Sequence, residues 1–391
     1  MSIAIIAALE LTLRLFFPQA LVPTPVLGER FSLPHPDLGM RYVPGAVWRF
    51  RHPEYSVEYA INEDGFRKPT SPGHQLPSPG DRLLLLGDSF TFGQGVSYET
   101  TWGAIAEGLL RQRGGRLHLI NAGVQGMDTR SELLLLRELA PRYRPEAVIV
   151  GFLINDLYTN VPLDAAPKAE TGPAKWSHVR DEVFVRAGAA RTFHLLQLAR
   201  RIVTSNDAMY AKLYLAAPGR GEFLRLPLSG RPRRQLAVTE ELLKQLAAEC
   251  RALNVPLIVL SIPQQFQVLQ QLTQGERAGD IDVAFYDRYF ADLGRRVGFT
   301  WVATLDALVE AEEPARLYYR LDGHLSAEGH AVVAGVLADA LMPLIGPSPP
   351  PTASHHLGSP RLSGAADTLS RPLDKDHRRS NSGAARALKT R

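Results

Sequence analysis

Four consecutive leucines, Leu83 to Leu86, stop at Gly87-Asp88-Ser89. A run this apolar and this short is a strand buried on both faces, the condition of a parallel sheet covered by helices. Further on, Trp102, Ile105, Ala106, Leu109 and Leu110 recur at helical spacing. The alternation then repeats. Strands are expected at residues 116–120, 147–152, 255–261 and 299–302. Helices are expected through 133–139, capped by Asp128 or Thr129 and ended by Pro141, at 239–253, near 285–297, and from a Ser326 cap to Leu341. Strands and helices in this rhythm give an α/β domain with a central parallel sheet and right-handed crossovers.

Around that core the chain divides readily. Residues 1–17 are apolar but interrupted by Glu10 and Arg14. A bilayer span needs about 20 mostly apolar residues, and a charge at its centre costs several kcal/mol. Three readings stay open for this segment: the end of a membrane anchor whose start is missing, an interfacial helix, or a helix packed on the domain. Residues 18–80 are proline-rich, with a strand pair at 47–61 and a turn at Glu63-Asp64-Gly65, and read as a layer laid on the core at 81–345. Residues 157–232 interrupt the rhythm with one long helix expected at 192–216. An insertion beside a strand end is either a lid or substrate wall, or packing on the sheet edge.

The formal charge of +4 on 391 residues raises the question of nucleic acid. From Gly346 onward there are eight basic residues against three acidic ones, leaving 36 and 37 for everything before. The basic excess belongs to a tail too poor in aliphatics to order itself, and the body has no basic groove. Cys250 is the only cysteine, at helical spacing with Leu242, Leu243, Leu246 and Ala247, and is expected in a core.

Ser89 follows an inner parallel strand, where open α/β sheets bind their ligands, and precedes a helix whose N–H groups favour negative charge. No lysine follows Gly93 or Gly95, which excludes a phosphate-binding P-loop and with it a nucleotide-binding reading. Thr91 stands where a nucleophile elbow has its second glycine, which disfavours an α/β-hydrolase fold. Alone, Asp88-Ser89 is equally a strand-end turn. A serine nucleophile needs a base, itself oriented by a carboxylate. Asp322 and His324, two apart in a loop after the last strand, project the same way if the loop is extended. Gly123 and Asn155 follow the second and third strands and offer a backbone N–H and a side-chain amide to an oxyanion. Each is unremarkable by itself, and the force lies in all five reaching one rim. His330 is read as solvent-facing, and Asp156 as a brace for its loop. A metal held by Asp322, His324 and His330 matches no zinc spacing.

The pattern resembles the SGNH hydrolases, or GDSL-type esterases, in GDSFTFGQG, NAGVQG, FLINDL and DGHLSAEGH. The apolar N-terminus and the NEDGFR segment at 62–67 are similar to membrane-anchored bacterial members. Two departures are present: Gly151 lies four residues before Asn155 where the family's third block has Gly-x-Asn-Asp, and Asp322 precedes His324 by two rather than three. The shorter spacing is similar to the alginate O-acetyltransferase-like branch. The resemblance implies a flavodoxin-like α/β/α sandwich and a serine-dependent ester hydrolase without metal or cofactor. In it Ser89 is the nucleophile, His324 the base and Asp322 its orienter, with Ser89, Gly123 and Asn155 forming the oxyanion hole. The substrate is expected to be a small-molecule or glycan ester, in a membrane-anchored or extracytoplasmic setting, with a cytoplasmic one still open. The alternatives are a polysaccharide O-acetyltransferase on the same fold and a non-catalytic glycan-binding envelope protein.

Overall fold

Burial on both faces of the leucine run sets the architecture. In the computed structural model, which describes residues 3–19, 31–70, 82–165, 193–217 and 219–344, Leu83 to Leu86 are fully buried in an inner strand of a five-stranded sheet. Its strands are β1 (Arg82–Gly87), β2 (His118–Asn121), β3 (Ala147–Phe152), β4 (Leu257–Ser261) and β5 (Thr300–Ala303). They pair in the order β2–β1–β3–β4–β5, every neighbour parallel. This is the flavodoxin-like order, with a crevice at the carboxyl ends where the direction of winding reverses, between β1 and β3. Right-handed crossovers put helices Trp102–Gln112 and Ala327–Leu341, which pack together, on one face. Helices Thr129–Tyr143, Gly230–Ala252 and Phe285–Val297 cover the other.

Caps expected from sequence are present. Asp128 accepts the Ser131 N–H at 3.1 Å and Ser326 Oγ that of Gly329 at 3.2 Å. Pro141, expected to end its helix, lies inside it, and the helix runs to Tyr143. Proline removes one backbone donor, but Pro141 and Arg137, whose carbonyl loses that donor, both lie on the exposed side of the helix. The expected long helix in the insertion is two, His194–Ser205 and Asp207–Ala216. Asn206 breaks them, its side chain accepting the Met209 N–H at 2.9 Å to start the second. The first of the pair reaches the loop before Asp322, where Arg200 Nη2 donates to the Leu321 carbonyl at 2.7 Å.

Residues 47–68 form a three-stranded antiparallel sheet, Val47–His52, Tyr55–Ile61 and Arg67–Lys68. Helix Ile3–Phe16 buries its one acid: Glu10 accepts the N–H groups of His194 and Leu195 at 2.9 and 2.8 Å, capping the insertion helix. Ile3, Leu11, Leu15 and Phe16 point outward. No helix among the described residues is long and apolar enough to cross a membrane. A second unit, residues 349–391, lies outside the described residues, as does the expectation of a disordered tail. Cys250 is buried, which pushes its thiol up to about 12.

Candidate active site

β1 delivers Ser89 to the crevice at once. The sequence places the next helix only at Trp102, but a short helix begins at Ser89 itself and runs to Phe92. Asp88 caps it through Oδ1, which accepts the Phe90 N–H at 2.8 Å. Thr91 seats it between two strand ends. A Cβ added at Gly87 or Gly151 would stand 2.0 or 2.2 Å from Thr91 Oγ1, so neither position has room for a side chain. Gly87 also has φ +149°, a backbone that side chains disfavour. Gly151 therefore has a local task, making room for the Ser89 helix.

His324 arrives from the far end of the chain. Its Nε2 lies 2.7 Å from Ser89 Oγ and its Nδ1 2.5 Å from Asp322 Oδ2. Asp322 and His324 are 4% and 3% exposed, so the pair meets under a low dielectric that strengthens each bond. Phe90 packs on the imidazole at 4.7 Å between centroids. A carboxylate on Nδ1 fixes the tautomer whose Nε2 accepts a proton, which equips Nε2 to take the one on Ser89. Gln94 Nε2 approaches both Asp322 oxygens at 3.4 Å, and Gln125 Nε2 donates to Gln94 Oε1 at 2.7 Å. The sequence pattern marks neither glutamine: Gln94 follows the Ser89 helix in FGQG, and Gln125 follows β2 in VQG.

Gly123 and Asn155 stand beside the same helix. A Cβ on Gly123 would lie 2.6 Å from the Phe92 nitrogen, so this glycine is required by the close approach of the Ser89 helix. Its N–H donates to Asn121 Oδ1 at 3.1 Å, and would serve an oxyanion in competition with that bond. Asn155 Nδ2 donates to Asp88 Oδ2 at 2.9 Å. Asp88 thus joins the cap of the Ser89 helix to the asparagine that follows β3.

Two neighbouring residues differ from expectation. His330, read as solvent-facing, is 1% exposed, its Nδ1 accepting the Trp102 N–H at 3.1 Å. Its place in the helix repeats at Val333, Ala334, Leu337 and Leu341, all buried, which is the signal for an inward-facing residue. Burial, with the positive charge of Arg67 and the imidazole of His324 beside it, holds its pKa down at about 3. Asp156 is fully buried, and burial with Glu132, Asp88 and Asp128 nearby raises its pKa well above the usual carboxylate range. Its side chain is thereby held toward the neutral form. Among the described residues no three His, Cys, Asp or Glu side chains gather to hold a metal ion.

The strand order and the three layers define an α/β/α sandwich of the SGNH-hydrolase type. A family model described as GDSL-like lipase/acylhydrolase matches residues 85–332, well over half of the chain, and the chain belongs to that family of ester-acting acylhydrolases. Solved structures with similarity to it include TesA, 14% identical with 68% of this chain and 99% of that one covered at a TM-score of 0.39. A lipase/acylhydrolase from Enterococcus faecalis is 13% identical, with 68% and 97% covered and a TM-score of 0.39. A variant of Axe2, an acetylxylan esterase from Geobacillus stearothermophilus, is 16% identical, with 67% and 94% covered and a TM-score of 0.38. The chain matches no curated protein.

Proposed function

We propose that the chain is a serine-dependent ester hydrolase in which Ser89 attacks the acyl carbonyl. His324 Nε2 takes the Ser89 proton and returns it to the departing alcohol, and Asp322 holds the imidazole and stabilises its cationic form. Charge growing on the carbonyl oxygen meets the N–H groups of Ser89 and Gly123 and the Asn155 amide. Water then attacks the acyl-serine, releasing the acid and restoring the hydroxyl. The observation that carries this reading is the unbroken contact from Ser89 Oγ through His324 to Asp322, at 2.7 and 2.5 Å.

The acceptor separates two versions of the reaction. The Asp322-x-His324 spacing favours keeping a sugar hydroxyl beside water as the second-step acceptor, which would make the protein an O-acyltransferase acting on glycans. The test is turnover of p-nitrophenyl esters of increasing acyl length, with and without an acceptor glycan. Ser89→Ala should abolish turnover with an unchanged melting temperature, and retained turnover would refute the assignment. Acylated glycan appearing only with acceptor present identifies the transferase. A glycan-binding protein without catalysis would turn over neither. The outward apolar residues Ile3, Leu11, Leu15 and Phe16 support seating on a lipid surface. Cosedimentation with anionic vesicles that persists after these four become serine would exclude that seating.

A further inference from the structure

Ser89 leaves the end of a sheet strand, but Asp322 and His324 do not. Between β5 and their loop lie a helix, Leu305–Val309, and a helical turn at Pro314–Arg316. The central sheet therefore fixes only one half of the hydrogen-bonded pair. Something else must set the height of the loop, since reacting groups need placement to within about half an ångström.

The N-terminal sheet touches both halves. At the tip of its hairpin, Glu54 Oε2 accepts the N–H groups of Leu321 and Asp322 at 2.9 and 2.8 Å. The tip is braced by His52, whose Nδ1 accepts the Glu54 N–H at 3.3 Å and whose ring stacks on Tyr55 at 4.8 Å. Tyr55 in turn packs on Tyr319 at 4.8 Å. Tyr319 belongs to the Asp322 loop, where its N–H donates to the His324 carbonyl at 2.9 Å.

At the other end of the same sheet, buried Arg67 closes NEDGFR. Its Nη1 donates to the carbonyls of Phe92 and Gly93, and its Nη2 to that of Val96, each at 2.5 Å. The guanidinium lies 4.7 Å from the ring centres of both Tyr59 and Phe92. These carbonyls end the Ser89 helix and begin the loop after it, and Gly93 is its left-handed cap. One residue, Gly95, joins the two halves. Its N–H donates to Tyr59 Oη at 2.9 Å, and its carbonyl accepts from Tyr319 Oη at 3.0 Å.

We propose that the antiparallel sheet of residues 47–68 is the positioning device of the active site, with Arg67 holding the Ser89 helix and Glu54 setting the Asp322–His324 loop against it. This rests on Ser89 and His324 acting as nucleophile and base. Glu54 and Arg67 touch no reacting atom, so they act through geometry. Glu54 is the sharper probe, because its side chain is 19% exposed at a hairpin tip and its removal hollows no core.

The test uses the full chain and p-nitrophenyl acetate, with Glu54→Ala, Glu54→Gln, Glu54→Asp and Ser89→Ala. Glutamine keeps an oxygen at the same reach and accepts both N–H groups, whereas aspartate keeps the charge and shortens the arm. Glu54→Ala should lower kcat by about 10- to 100-fold with KM within about twofold. Glu54→Gln should recover to within about threefold of the parent, and Glu54→Asp should fall between. Should the alanine variant not fold, the order of glutamine above aspartate carries the test. A folded alanine variant with unchanged kcat, a loss confined to KM, or glutamine as damaging as alanine would each overturn the proposal. If Ser89→Ala still turns over, the fault lies in the nucleophile assignment, whatever the Glu54 variants do.

Discussion

The loop that carries His324 and the first helical turn that carries His330 hold the same residue type at nearly the same depth, 3% and 1% exposed. His324 has a carboxylate on one nitrogen and a hydroxyl on the other, both within hydrogen-bond reach. His330 has a backbone N–H on one nitrogen and the positive charge of Arg67 nearby. Burial alone makes an imidazole a neutral packing group that caps helix Trp102–Gln112. A carboxylate on Nδ1 instead fixes the tautomer that leaves Nε2 open toward the hydroxyl it faces. The partner on Nδ1, a carboxylate in one and a backbone N–H in the other, separates the two.

That contrast breaks first at His324. His324→Ala should lower kcat by about 10³-fold or more on p-nitrophenyl acetate, whereas His330→Asn should leave kcat within about threefold. Equal losses in the two variants would erase the distinction. Asn155→Ala should cost about 10²–10³ in kcat, the usual loss for one oxyanion donor. An effect on KM alone would leave Asn155 as a partner of Asp88 only.

The smallest effect is on stability. His330 has its folded pKa at about 3, below its ordinary value of 6.5. Between those values the unfolded chain binds a proton that the folded one refuses. The stability this gives is complete above about pH 6.5 and is lost progressively as pH falls toward 3, by up to ~1.4 kcal/mol per pH unit. Asparagine can still accept the Trp102 N–H but does not titrate. Urea midpoints at pH 7.5 and 5 should therefore differ less in His330→Asn than in the parent, and an unchanged difference would place the acid sensitivity elsewhere.

Much of this was legible because a parallel sheet writes itself as apolar runs, and its ligand rim lies where those runs stop. Ser89, Gly123 and Asn155 are each read from a strand end, and Asp322 and His324 from their place after the last strand. Other features depend on contacts between distant segments, which no local pattern announces. Glu54 reads as a turn acid until the backbone of Leu321 and Asp322 is set against it. Glu10 reads as an interruption in an apolar stretch until the helix at His194 needs a cap. Helix Gln265–Gln274 escaped notice because five of its ten residues are glutamine and weaken its apolar stripe. His330 reads as solvent-facing by residue type, although its spacing from Val333, Ala334, Leu337 and Leu341 marks it as inward. Helical period outweighs the polarity of the imidazole, and the buried N–H of Trp102 is what satisfies its Nδ1.

The central claim is that the Ser89 hydroxyl is activated by the imidazole beside it, and a covalent probe reads this most directly. The parent and His324→Ala would be treated with a fluorophosphonate, and the modified peptide located by mass. The account predicts one adduct per chain on Ser89 in the parent and a labelling rate reduced by orders of magnitude in His324→Ala. An adduct on another residue, or labelling of Ser89 at the same rate without His324, would contradict it.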